Sequence, residues 1–125
     1  MASGDAATSS VSRETFHIAG ILTTVYGLAE LAPEVRDVAC LWLLHPRLQT
    51  QESMAPFAAS MITEWNSQAH NKSKKGLIAV TFDQRNHGSR EVDSMGNQAW
   101  RDGNKRHAMD MFSIYRMLSY YSWVS

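Results

Sequence analysis

The distribution of apolar residues along the chain predicts three stretches of β-structure. Residues 16–27 are rich in β-branched and aromatic side chains and contain an internal glycine, which predicts a hairpin or one bent strand. The apolar run 38–44 shows no alternation, which predicts a central strand covered on both faces and ended by Pro46. The run 77–82 predicts a second buried strand of the same kind.

Two helices are predicted from apolar residues that recur at steps of three and four. The first spans 53–70, with Ser53 as its N-cap and Pro56 tolerated in its first turn. Its expected buried face consists of Met54, Phe57, Ala58, Met61, Ile62 and Trp65. The second helix begins at His107, and its apolar face consists of Ala108, Met111, Phe112, Tyr115 and Leu118.

The order hairpin, strand, helix, strand, helix predicts an α/β fold. Two buried strands joined by a helix imply a parallel pair with a right-handed crossover. The result is half of an α/β sandwich, an incomplete three-layer arrangement. The domain is expected over residues 16–115, after a disordered tail at 1–15.

Composition narrows the function classes. A chain of 125 residues suffices for one small domain. Lys plus Arg equals Asp plus Glu at 12 each, and this balance argues against a nucleic-acid or membrane-surface protein. The start of the chain lacks the pattern of a secretory signal. The single cysteine, Cys40, is interpreted as a small core residue, and a reducing, cytoplasmic location is expected.

Polar segments follow both predicted parallel strands, whose carboxyl ends share one edge of the sheet. In open α/β sheets, ligands bind at that edge. The 38–44 strand leads into His45, Pro46, Arg47 and Leu48. The 77–82 strand leads into a polar turn formed by Asp83, Gln84, Arg85, Asn86, His87, Gly88 and Ser89.

Both segments resemble the α/β-hydrolase family. Residues 42–47 look like its third strand and the oxyanion loop that follows, and residues 83–89 look like the Asp-x-Arg-Gly-x-Gly-x-Ser turn after its fourth strand. The resemblance covers about residues 16–115. It implies a mostly parallel sheet and hydrolysis of an ester or similar acyl bond of a small-molecule substrate. The family's serine nucleophile lies on a Gly-x-Ser-x-Gly turn, followed by an acid and a late histidine.

The resemblance also implies roles for individual residues. The oxyanion-loop candidates are His45, Arg47 and Leu48, and the Arg47 amide would be one oxyanion donor. Pro46 stands where the family has a glycine and has no amide hydrogen to donate. His45 is expected to order the loop rather than to transfer protons. The residues expected in the substrate pocket or its turn are Asp83, Arg85, His87, Gly88 and Ser89.

Within this turn, hydrogen bonds of Asp83 and Arg85 are expected to hold the backbone, and His87 is interpreted as a polar loop residue. Asn86 replaces a glycine of the family motif, and asparagine tolerates a left-handed backbone better than most residues. Two serine–histidine pairs are conceivable as nucleophile and base: Ser89 with His87, and Ser53 with His45. Neither pair has an acid or oxyanion hole assigned by the sequence.

No cofactor is expected. The residues considered for a metal site are Asp83, His87, His107 and Asp110, and their spacing matches no metal-binding motif.

The sequence contains no Gly-x-Ser-x-Gly turn. We therefore expect the N-terminal fragment of a hydrolase-like protein, inactive by itself. A truncated gene model with a non-native tail at 116–125 is the expected origin. The alternative is a non-catalytic interaction protein, whose half sheet is completed by a partner or by self-association through the 38–44 strand.

Overall fold

The computed structural model describes residues 10–68 and 75–121 and forms a mixed α/β unit. Its strands are β1 (Arg13–Ile18), β2 (Ile21–Tyr26), β3 (Asp37–Leu43) and β4 (Lys75–Phe82). Its α-helices are α1 (Ala55–Ser67) and α2 (His107–Tyr121). Among the described residues, no helix has both the length and the apolar character needed to cross a bilayer.

The four strands form one sheet in the order β1-β2-β4-β3. Strands β1 and β2 form the predicted hairpin, and the pair Ile18 and Ile21 closes it. The two residues of its turn, Ala19 and Gly20, both have positive φ, as a tight turn between right-twisted strands requires. Strand β4 pairs antiparallel with β2 and parallel with β3, which confirms the predicted parallel pair.

The boundaries of the ordered chain differ from the prediction at the start. Strand β1 begins at Arg13, three residues before the predicted boundary, because Arg13 pairs with Tyr26 at the far end of β2. Residues 13–15 therefore belong to the sheet and not to a tail, while residues 1–9 lie outside the described residues. Helix α2 continues into the predicted tail as far as Tyr121.

Strand β3 lies at the edge of the sheet, and the prediction that both its faces are covered is wrong. Its side chains at Val38 and Trp42 are 45% and 41% exposed. Cys40, on the same face, is also exposed, so it is not the predicted core residue. The opposite face carries Leu41 and Leu43, which are partly buried against the core. An apolar run can therefore occupy an edge as well as a sheet centre.

The core lies between α1 and one face of the sheet. Ala58 and Ile62, one turn apart, are fully buried and contact Tyr26 and Ala79. The close approach of helix and sheet requires Gly27, since a Cβ atom there would lie 2.9 Å from Ile62 Cδ1.

The predicted apolar faces of both helices are only partly buried. On α1, three members of the predicted face are exposed: Phe57, Met61 and Trp65. A helix on a narrow, open sheet meets it along a single stripe, so the flanking positions stay in solvent. On α2, the predicted Phe112 and Tyr115 are exposed, and among the side chains described up to residue 116 the buried one is Ile114, which the prediction omitted. The side chain of Leu118 lies outside the described part of the chain.

The start of α1 also differs from the prediction. A short 3-10 helix, Gln51–Met54, precedes α1, so the N-cap is Met54, without a side-chain hydrogen bond. The Ser53 hydroxyl instead donates to the Thr50 carbonyl at 2.7 Å. Pro56 lies in the first turn as predicted.

Candidate functional site

The carboxyl ends of β3 and β4 carry two loops that lie side by side. The parallel register pairs Leu43 with Thr81, which brings the β3 loop (residues 44–50) against the β4 loop (residues 83–91). Side chains from each loop bond to the backbone of the other. The two segments singled out in the sequence therefore form one site.

His45 is buried in the β3 loop with both ring nitrogens bonded. Its Nε2 accepts the backbone N–H of Gln84 at 3.0 Å, and its Nδ1 lies 2.9 Å from the carbonyl oxygen of Pro46. The Gln84 side-chain amide donates to the His45 carbonyl. Burial lowers the pKa of His45, which favours the neutral ring. The ring thus holds the two loops together.

His87 is a polar residue of the β4 loop, as interpreted from the sequence, and its ring is buried. Its Nε2 accepts the backbone N–H of Leu48 at 3.2 Å, and its Nδ1 lies 2.9 Å from the Arg85 carbonyl oxygen. Leu48 has a φ of 68°, a strained backbone that this contact helps to hold. The centroids of the His45 and His87 rings are 5.2 Å apart.

The buried Asp83 connects the β4 loop to the start of the 3-10 helix through hydrogen bonds. Its carboxylate accepts the Gln51 amide at 2.9 Å, the Ser89 amide at 3.0 Å and the Ser89 hydroxyl at 2.8 Å. Burial raises the pKa of Asp83, but these hydrogen bonds outweigh it and leave a net lowering. Gly88 lies beneath this carboxylate with a φ of +53°.

The arginines connect the loops to the rest of the chain. The Arg85 guanidinium donates to the Ser113 hydroxyl on α2 rather than to a group within its own turn. Arg47 donates to the carbonyl oxygen of Asn97 at 2.7 Å. Arg90 donates to the Asp83 carbonyl oxygen at 3.0 Å. Arg85 therefore contributes to the turn through its backbone carbonyl, which faces His87 Nδ1, while the Asp83 carboxylate and the Arg90 guanidinium supply the side-chain hydrogen bonds.

Three asparagines order the chain around this site, and only Asn86 was singled out in the sequence. Asn86 has a φ of 61°, as its expected tolerance of a left-handed backbone requires. Its side chain bonds to buried Asn97. Buried Asn104 donates to Asp110 at 3.0 Å and accepts the Arg106 amide at 2.9 Å. The polar stretch after the turn gave no periodic signal, although its asparagines are typical of turns.

A pocket of about 170 Å³ lies where the two loops meet α2. Its lining residues are Leu44, His45, Pro46, Arg47, Gln84, His87, Met111, Ile114 and Tyr115. Neither of the conceivable serine–histidine pairs forms, because the Ser89 hydroxyl donates to Asp83 and the Ser53 hydroxyl donates to Thr50.

The residues considered for a metal site have other partners. His107 Nδ1 lies 2.9 Å from the Gln98 carbonyl oxygen, and Asp110 accepts from Asn104. Within residues 10–68 and 75–121, no three His, Cys, Asp or Glu side chains converge to hold a metal ion.

Comparison with known proteins gives little. No protein-family model matches the chain, and no curated protein matches it. Among solved structures, the chain is similar to the crystal structure of TT1662 from Thermus thermophilus, with 18% sequence identity and a TM-score of 0.41. The similarity covers 83% of this chain and 40% of that chain, so this chain spans less than half of that protein.

Proposed function

We propose that this chain is the N-terminal half of an α/β-hydrolase-like domain. It contributes one wall of a pocket for a small acyl substrate and does not break the ester bond by itself. The observation that supports this proposal is the pocket between the β3 loop, the β4 loop and α2. Its walls include apolar Leu44, Met111 and Ile114, which suit an acyl chain. The single thiol is consistent with a reducing, cytoplasmic setting.

The hydrogen bonds at the pocket favour a role in substrate binding over a complete set of catalytic groups. A general base needs a free ring nitrogen, and both nitrogens of His45 and of His87 are bonded. The Leu48 amide is already bonded to His87, so it is not free to stabilise an oxyanion. The Arg47 amide remains the oxyanion donor that we propose for the complete domain.

Binding without turnover is the test. The 15N-labelled chain would be titrated with methyl butyrate, and we expect saturable amide shifts at Arg47, Met111 and Tyr115. Released butyrate should not exceed the buffer control. Met111→Arg should abolish the shifts because it fills the pocket. Met109→Arg is the matched control, since Met109 lies on the same helix, is 67% exposed and does not line the pocket.

Two results would contradict this proposal. Amide shifts that are scattered over the surface, or that survive Met111→Arg, would show that the pocket is not an ester site. Butyrate release above the control would show that the chain has a nucleophile of its own, contrary to the proposed inactivity.

The exposed edge strand supports a second candidate, an interaction protein that assembles through β3. In the described sheet β3 pairs only with β4, and its apolar Val38 and Trp42 are exposed. Open edges of this kind pair readily with another strand. Sedimentation analysis should then show a defined dimer that Val38→Lys dissociates and Val92→Lys leaves intact, since Val92 is exposed away from the sheet. A monomer or heterogeneous aggregate would contradict assembly through β3.

A further inference from the structure

The two buried histidines bond reciprocally across the site. The ring of His45, in the β3 loop, accepts the amide of Gln84 from the β4 loop at 3.0 Å. The ring of His87, in the β4 loop, accepts the amide of Leu48 from the β3 loop at 3.2 Å. Each loop is therefore held by a titratable side chain of the other.

The partners of the rings determine their protonation state. A backbone amide can only donate, so Nε2 of each ring must be an unprotonated acceptor. A carbonyl oxygen can only accept, so Nδ1 of His45 donates to Pro46 and Nδ1 of His87 donates to Arg85. Both rings are thus neutral in this arrangement. A proton added at either Nε2 would set two donors against each other and break the bond between the loops.

Some charged groups around the rings favour protonation of a ring, and others oppose it. The Asp83 carboxylate, next to Gln84, favours a protonated His45, but it is already bonded to Gln51 and Ser89. Other charged or titratable groups in these loops or facing the pocket are Arg47, Arg85, Arg90, Glu91 and Tyr115. Two protonated rings 5.2 Å apart would repel each other.

We propose that His45 and His87 form an acid-released latch, in which protonation of either ring separates the β3 loop from the β4 loop and opens the pocket between them. Both rings are only 3% exposed, so a protonated ring has little water to replace the lost bond. The sheet itself contains neither ring and should persist when the loops part. The latch operates whether or not the chain takes part in acyl hydrolysis.

Amide hydrogen exchange, corrected for its intrinsic pH dependence, tests the latch. Because burial lowers the pKa of His45, release is expected at a lower pH than for a solvated histidine. Between about pH 7 and about pH 4, we expect protection of the Leu48 and Gln84 amides to fall roughly tenfold. The Val25 and Val80 amides in the sheet should keep their protection. The 15N shifts of the imidazole nitrogens should show Nε2 becoming protonated over the same pH range.

Single substitutions separate the two halves of the latch. His87→Gln should remove the pH dependence at Leu48 and leave it at Gln84, whereas His45→Gln should do the reverse. His17→Gln, at an exposed position of β1, is the control and should change neither.

The wild-type titration decides the question even where a variant does not fold. Unchanged protection of Leu48 and Gln84 across this pH range would overturn the latch. Loss of protection at Val25 and Val80 in step with them would also overturn it, because the histidines would then hold the whole fold rather than the loops.

Discussion

Gly88→Ala should be among the most destabilising single-methyl changes in the described chain. A Cβ atom at this position would lie 2.4 Å from Asp83 Oδ1 and 2.5 Å from Asp83 Oδ2. A left-handed backbone costs a non-glycine residue about 1 kcal/mol. Moving the carboxylate away also weakens its two bonds from Ser89, and bonds to a charged group are worth about 1.5 kcal/mol or more each. The expected loss is therefore about 4 kcal/mol.

Urea unfolding, followed by tryptophan fluorescence, measures this loss. Gly20→Ala is the matched control because Gly20 also has a positive φ, at +78°, and no atom within 4 Å of the added Cβ. We expect Gly20→Ala to cost only the backbone term, about 1 kcal/mol. Equal losses in the two variants would refute the packing of Gly88 against Asp83. A domain of this kind has a total unfolding free energy of about 5–15 kcal/mol, so a loss of about 4 kcal/mol should lower the urea midpoint by a large fraction.

Three further predictions concern charge and packing. The pKa of Asp83 is lowered in the folded state, so its ionised carboxylate stabilises the fold above the unfolded pKa, and this stabilisation is lost as pH falls through the folded pKa. The urea midpoint should therefore drop less between neutral pH and about pH 3 in Asp83→Asn than in wild type. Ile62→Ala should lower the unfolding free energy by about 3 kcal/mol and Phe57→Ala by less than about 1 kcal/mol, because Ile62 is fully buried and Phe57 is 58% exposed. Similar losses in urea unfolding would contradict the finding that α1 contacts the sheet along a single narrow row of residues. Arg13→Ala should change the unfolding free energy by less than about 1 kcal/mol because its ion pair with Glu52 is solvent-exposed, and a larger loss would contradict that weak role.

The order of elements was predictable because it depends on local patterns. Apolar runs and helical periodicity identified the hairpin, the parallel strands and both helices, and the topology placed 45–48 beside 83–89. The left-handed Asn86 was also predictable, since asparagine's tolerance of that conformation is a property of its own side chain.

What could not be predicted depends on neighbours that are distant in sequence. An apolar run does not reveal whether a further strand covers it, so Cys40 was assigned to the core although it lies on an exposed edge. Helical spacing identifies an apolar face, but the width of the sheet decides how much of it is buried, as Phe57 and Ile114 illustrate. The bonds of His87 to another loop have no local signature at all.

The exposed position of Cys40 has a practical consequence. It is the single thiol of the chain and lies within the edge strand, so it is a natural chemical reporter of that edge. Neighbouring side chains nevertheless shield the thiol in part from water, and this partial desolvation raises its pKa. A maleimide should therefore label it more slowly than a fully solvated cysteine at neutral pH. Any strand that adds to the sheet beside Cys40 should slow the labelling further, and one mass spectrum per time point would follow it without mutation or an attached tag.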